Sequence, residues 1–410
     1  LNVNPNKNAD NWFISFICIL RMEVIIILTA LTKDGEIFIP AHYSRDSLKM
    51  MRQNVYNCAE CKETLILKVG NIKIPHFAHQ HNTVCAQSFS EGESEDHLRG
   101  KIQLYDFLQS KKVPCNLEPF ILDIKQRPDI LIFTDNIKVA LEYQCSKIPT
   151  SIIRKRNKGY MQVHIKPLWV LKTPNPLDFP LQQIGSMKIS AFQTELLYHS
   201  MNGKVLITYC PQTKSFSYIS NLLYLYSNHF IVKINRLPIT MQTWPLAMVK
   251  TITEHEFQTY LKLYQDKRMK RLKNLYLYNR KGIQSSFLQV CYKWRINPIN
   301  LPLFIGVPSY GADAFDEHAC EWQLQWIDFL LGNSLMLDTI TDQHYRYFLL
   351  VHRWKDPNRL IMRLKALKAY VAILLECLDI PEQLHPESTC NYTKMHKLLY
   401  NQFLAKGAEN

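Results

Sequence analysis

The segment QRPDILIFTDNIKVALEYQCS, residues 126–146, sets Asp129, Glu142 and Gln144 into two otherwise apolar runs. Those runs flank Asp135-Asn136, a turn signal, and read as a β-hairpin. If the turn is centred between these two residues, Ile130 faces Leu141, Leu131 faces Ala140 and Ile132 faces Val139. The same register sets Asp129 against Glu142. Directly opposed residues have Cβ atoms about 5 Å apart, and like charges there are destabilising. A divalent cation removes that penalty. Magnesium or manganese prefers carboxylate oxygens and holds a phosphate and a water beside them. Gln144 lies two residues beyond Glu142, so it projects from the same strand face, where its amide can orient the attacking water. The plain structural alternative pairs the acids with Arg127, Lys138 or Lys147 at a sheet edge, and a bulge would void the register.

A second group has metal-ligand spacing. Cys58 and Cys61 stand in CAEC and His76 and His79 in HFAH, with fourteen residues between the pairs. Two thiolates and two imidazoles suit tetrahedral zinc, and four protein ligands leave no open position, so the expected role is structural. His81 or Cys85 can substitute for one ligand. The segment between the pairs reads as a hairpin turning at Gly70-Asn71 and brings them together.

The elements around the acids can be read from pattern. SEGESEDHLRGKIQLYDFLQSKK begins at Ser90, with capping-box spacing to Glu93, and Ser94 is the alternative cap. Leu98, Ile102 and Tyr105 mark its buried stripe. Glu95 shares that face at the first turn. It either reaches the edge of the covered sheet or only favours the helix N-terminus electrostatically. PCNLEPFILDI is a strand, followed by the hairpin. A helix that Thr150 or Ser151 can cap then carries Arg154, Lys155, Arg156 and Lys158, and PLWVL is a buried strand. The order is helix, three strands, helix, strand. The cations of the second helix can reach phosphate oxygens, or can simply be a solvated face.

The whole chain has 410 residues and a formal net charge of +14. Lys and Arg exceed Asp and Glu on both sides of residue 173, so the basicity is no single tail. A broad positive field fits a polyanion, most simply nucleic acid, or else a solvated basic surface. Eleven scattered cysteines argue against a disulfide framework and for a reducing compartment. NWFISFICIL, residues 11–20, is apolar, but Arg21 and Glu23 interrupt it before a membrane span is reached, and no A-x-A cleavage pattern follows. Met22 suggests that residues 1–21 are a leader upstream of the start, with no stable membrane insertion; a membrane-associated uptake component is the minor alternative. Four regions are expected: that leader, an N-terminal β unit over 22–88, an α/β domain over 89–173, and a region over 174–410 that is mixed, then helical from about 252. PNPLDFP, residues 174–180, marks the linker.

KIPHFAH, SEGESEDHLRGK, QRPDI, ALEYQCS and RNKGY, in that order, resemble the CoiA-type competence proteins of Gram-positive bacteria, across most of residues 22–172. The resemblance implies an α/β restriction-endonuclease-like core of the PD-(D/E)xK type, behind a small zinc-ribbon-like β unit and ahead of a mostly helical C-terminal region. It implies hydrolysis of phosphodiester bonds with one or two divalent ions, Asp129 as the acid of the PD motif, Glu142 as the second acid, and Glu95 as an acid from the first helix. It also implies action in the cytoplasm on incoming or recombining DNA, single-stranded or branched, alongside recombination proteins. Gln144 stands where lysine is common, and a neutral amide cannot stabilise developing negative charge as an ammonium does. Arg154, Lys155 or Arg156 is then the candidate for the missing cation. The competing expectation is a non-catalytic DNA-binding recombination factor, for which RLKNLYLYNRKG, residues 271–282, interleaves basic and aromatic residues as single-strand binders do.

Overall fold

A computed structural model of the chain describes residues 26–80, 85, 94–174, 183–200, 203–246, 249–278, 282–352, 354, 356–381, 384–385 and 388–408. The expected leader, the Ser90–Glu93 capping pair and most of PNPLDFP lie outside them.

The N-terminal unit is a small antiparallel sheet. β1 (Ala30–Leu31) and β2 (Ile37–Phe38) pair across the Asp34-Gly35 turn, where Gly35 takes φ 79°, a region open to glycine. Helix α1 (Arg45–Met50), capped by Ser44, leads to β3 (Tyr56–Asn57), β4 (Thr64–Lys68) and β5 (His76–His79). The strand order is β2-β1-β3-β4-β5. Phe38, Leu48, Tyr56, Leu67 and Phe77 fill its core.

Next come α2 (Glu95–Ser110), β6 (Cys115–Leu117), β7 (Ile130–Phe133), β8 (Lys138–Gln144), α3 (Thr150–Gln162) and β9 (Ile165–Lys172), the element order expected from the pattern. Ser94 is the helix cap, accepting from the His97 amide. Neither Thr150 nor Ser151 caps α3; both are inside it, behind Pro149. The β7–β8 register is the one anticipated, with Ile130 opposite Leu141, Leu131 opposite Ala140 and Ile132 opposite Val139. Strand alternation then sorts the side chains. Ile130, Ile132, Val139, Leu141 and Tyr143 pack with Leu98, Ile102, Leu104 and Leu108 of α2. Leu131 and Ala140 pack on the other face with Tyr160 of α3.

The sheet continues beyond β9. β10 (Ile184–Lys188), α4 (Ala191–Glu195), β11 (Tyr198–Ser200), β12 (Gly203–Cys210), β13 (Ser215–Tyr226) and β14 (His229–Pro238) follow. The main path is β10-β14-β13-β12-β9-β8-β7-β6, with β11 beside β12. β9 is parallel to both β8 and β12. Strand pairing therefore crosses the proline-rich segment. The helical region holds α5 (Glu254–Leu277), α6 (Ser286–Lys293), α7 (Ala319–Gly332), α8 (Asp342–Val351), α9 (Pro357–Cys377, capped by Asp356) and α10 (Tyr392–Ala408). Its core, which includes Trp322, Trp326, Phe348 and Tyr370, also takes in Leu223, Tyr224, Leu225 and Ile231 from β13 and β14. Among the described residues no helix is long and apolar enough to cross a membrane.

Candidate active site and metal centre

Glu142 occupies the α3 side of β8, as strand alternation from Ala140 requires. It is 5% exposed. Its Oε1 accepts from the Arg156 guanidinium and from the Tyr160 hydroxyl, two residues four apart on α3. Arg156 also donates to the Arg127 carbonyl at 2.9 Å. Burial raises the Glu142 carboxyl; Arg156 opposes this and Asp129 adds to it, and the net shift is upward. Glu142 Oε2 engages no donor among the described residues.

Asp129 stands one residue before β7, opposite Glu142 if the register is continued. Its Oδ2 accepts from the Tyr143 amide at 2.7 Å and lies 3.5 Å from His97 Nε2. Its Oδ1 lies 3.5 Å from Lys101 Nζ. Burial pushes this carboxyl up, but Lys101, His97 and the Tyr143 amide outweigh it and hold Asp129 far below the usual carboxylate range. Lys101, from the buried face of α2, is 1% exposed and sits 2.5 Å from Glu118 Oε1. Glu118 Oε2 accepts from the Leu28 amide at 3.1 Å.

The structure thus brings Asp129 and Glu142 into one charged cluster, but the cations beside them are Lys101 and Arg156. Arg127, Lys138 and Lys147 do not fill that role: Arg127 pairs with Glu60 and Lys138 lies over the Phe133 ring. Glu95 is not brought to the pair. It bonds Arg99 one helical turn on, at 2.5 Å, on the surface. Its neighbours carry the contacts instead, His97 to Asp129 and Asp96 to Lys172 and Gln212. Gln144 shares the Glu142 face, and its Nε2 donates to the Ser146 carbonyl at 2.9 Å. On α3, Lys155 and Lys158 are exposed, Arg154 is an exposed partner of Glu195, and only Arg156 turns inward.

Lys101, Glu118, His97 and Tyr160 were not anticipated. The four-residue spacing of His97 and Lys101 beside Leu98 was a usable signal, because it sets both on the covered side of α2. Glu118 had none. It takes φ 51°, a left-handed conformation that nothing in NLEPF announces.

The Cys/His group forms with one exchange. Cys58, Cys61, His79 and Cys85 each place a ligand atom within 4.8 Å of the others. The CAEC turn closes through Lys62 N–H to the Cys58 carbonyl at 3.1 Å. His76 is corrected out of the set, and Cys85 stands in its place. His76 and His79 both lie in β5, and residues three apart on a strand project from opposite faces. His76 instead sets Nδ1 2.7 Å from the Ile74 carbonyl. His81 lies outside the described residues. Three thiols and an imidazole at this spacing fit a tetrahedral thiophilic ion. His79 supports the fit, with Nε2 3.3 Å from Cys61 Sγ.

The acids fit a hard divalent ion more narrowly, since each already meets a cation. Among the described residues, what remains for metal is Glu142 Oε2 and Asp129 Oδ1, which Lys101 approaches at 3.5 Å.

Two family descriptions match this chain: "Competence protein CoiA, nuclease-like domain" over residues 93–252 and "Competence protein CoiA, N-terminal domain" over residues 40–88. Together they define the class, a nuclease-like α/β domain carried behind a smaller N-terminal domain. "Competence protein CoiA" of Bacillus subtilis (strain 168) is 34% identical over 198 residues, covering 48% of this chain and 51% of that protein. The chain belongs to the CoiA-type competence protein family. It spans about half the length of the curated relative it matches. No solved structure matches it.

Proposed function

We propose that this protein is a metal-dependent DNA endonuclease or nickase that acts on incoming or recombining DNA in natural competence. One observation carries the reading: Asp129, one residue before β7, comes opposite Glu142 of β8 when the register is continued, with Lys101 and His97 beside the first acid and Arg156 beside the second. The name of the matched relative and the nuclease-like description support it.

Asp129 and Glu142 would hold magnesium or manganese, which supplies an activated water and neutralises charge on a phosphate in flight. Arg156 supplies the fixed positive charge that Gln144 cannot. The Gln144 amide oxygen accepts from no described residue and can order a water. His97, about one-fifth exposed, is placed to pass a proton to or from solvent. Lys155, Lys158 and Arg154 face outward on α3 and would meet backbone phosphates. Cys58, Cys61, His79 and Cys85 would bind zinc as a structural centre.

Purified full-length protein with magnesium or manganese tests this on single-stranded, duplex and branched DNA. Asp129→Ala and Glu142→Ala are expected to lose cleavage by at least 100-fold while retaining DNA binding. Full cleavage by either variant would sink the assignment.

A second reading rests on the same cluster. Both acids are already engaged by cations, as in a retired site. The protein would then be a DNA-binding recombination factor. Metal dependence separates the two: binding that persists in chelator, with no product on any substrate, favours the second.

A further inference from the structure

We propose that Glu60 and Arg127 are positioning residues that couple the Cys/His metal centre to the carboxylate cluster, so that each site sets the affinity of the other. The proposal rests on the zinc and nuclease readings above and adds a physical link between them.

Glu60 is the third residue of CAEC, inside the turn that presents Cys58 and Cys61. Its Oε1 pairs with the Arg127 guanidinium. Its Oε2 is buried and engages no donor among the described residues. The Glu60 side chain is 6% exposed, so Arg127 is the cation that makes its burial tolerable. Arg127 belongs to the nuclease-like domain. Its own carbonyl accepts from Arg156, and Arg156 bonds Glu142. Pro128 alone separates Arg127 from Asp129, and its ring fixes the backbone between them. One arginine therefore meets the metal turn with its side chain, Glu142 indirectly through Arg156, and Asp129 through two residues of chain.

The charges support the same link. A divalent ion held by three thiolates and a neutral imidazole carries one net negative charge. Through its pairing with Glu60, Arg127 sets its positive charge against the turn that carries Cys58 and Cys61. It is thus counter-ion to both Glu60 and the metal centre. Outer partners of this kind orient ligands, and losing one typically costs about 10- to 100-fold in metal affinity. Linkage makes the effect reciprocal: whatever factor zinc adds to metal affinity at the carboxylate site, metal at that site adds to zinc affinity.

The test uses the full-length chain and two readouts besides cleavage. Zinc affinity is measured by competition with a chromophoric chelator, and manganese binding at the acids by electron paramagnetic resonance. Arg127→Met is expected to weaken zinc about 10-fold or more, with Glu60→Gln in the same direction and Arg127→Lys recovering part of the loss. Stripping zinc from the wild type is expected to weaken manganese binding, and stripping it from Arg127→Met to change manganese binding much less. Equal zinc affinity in all four proteins overturns the coupling, as does manganese binding that ignores zinc in the wild type. Glu60→Gln keeps the shape of the turn and provides the readout if Arg127→Met does not fold. A wild type that never cleaves, with the zinc effects intact, sinks the nuclease reading and leaves the coupling standing.

Discussion

Lys101 ties the carboxylate cluster to the stability of the fold. A lysine 1% exposed survives because Glu118 and Asp129 both face it, and removing one partner of a buried ion pair costs about 3–5 kcal/mol. Lys101→Met is therefore expected to lower the urea midpoint strongly, and adding Glu118→Leu to restore part of the loss. Asp129 predicts a pH effect. Its folded carboxyl lies below the unfolded value, so its stabilisation is present above about pH 4 and is lost as pH falls further. Asp129→Asn should flatten that acid limb in denaturation curves measured from pH 6 down to pH 2. At this scale the two acids were legible, because strand register has a period of two and the turn between them was readable. His76 was misplaced because spacing that suits a turn was applied to a strand. Lys101 was missed because a helical lysine normally marks the solvent face.

The helix α2 and strand β8 meet at a glycine. A Cβ added to Gly100 would stand 2.0 Å from the Tyr143 ring. That ring is buried, with its hydroxyl donating to the Tyr209 carbonyl at 3.2 Å, and the Tyr143 amide is the one that holds Asp129. Alanine is ordinarily the better helix former by about 1 kcal/mol. Here Gly100→Ala is expected to destabilise by about 1–3 kcal/mol through overpacking, read by thermal melting, and, on the proposed nuclease reading, to lower initial cleavage rates. Helix and strand types were legible in this region because the apolar periods switch cleanly from helical to alternating. The end of the sheet was not. The proline-rich segment reads as a boundary, yet pairing is decided by which apolar edges meet, and β12 finds β9 across it.

Across the whole molecule, the nuclease-like sheet and the helical region share a border. Leu223, Tyr224, Leu225 and Ile231 belong to strands of the sheet but to the core of the helices. A chain cut at residue 252, where the nuclease-like match ends, would expose that surface to water. It is expected to elute as aggregates in size-exclusion chromatography, whereas the full chain does not. Strand β9 has a related consequence during synthesis. Its sequence IKPLWVLK is paired on one side to β8, made earlier, and on the other to β12, made later. Until Gly203–Cys210 leaves the ribosome, β9 is the bare margin of a growing sheet, open to any stray strand. Nascent chains stalled between the two segments are therefore the ones most in need of a chaperone.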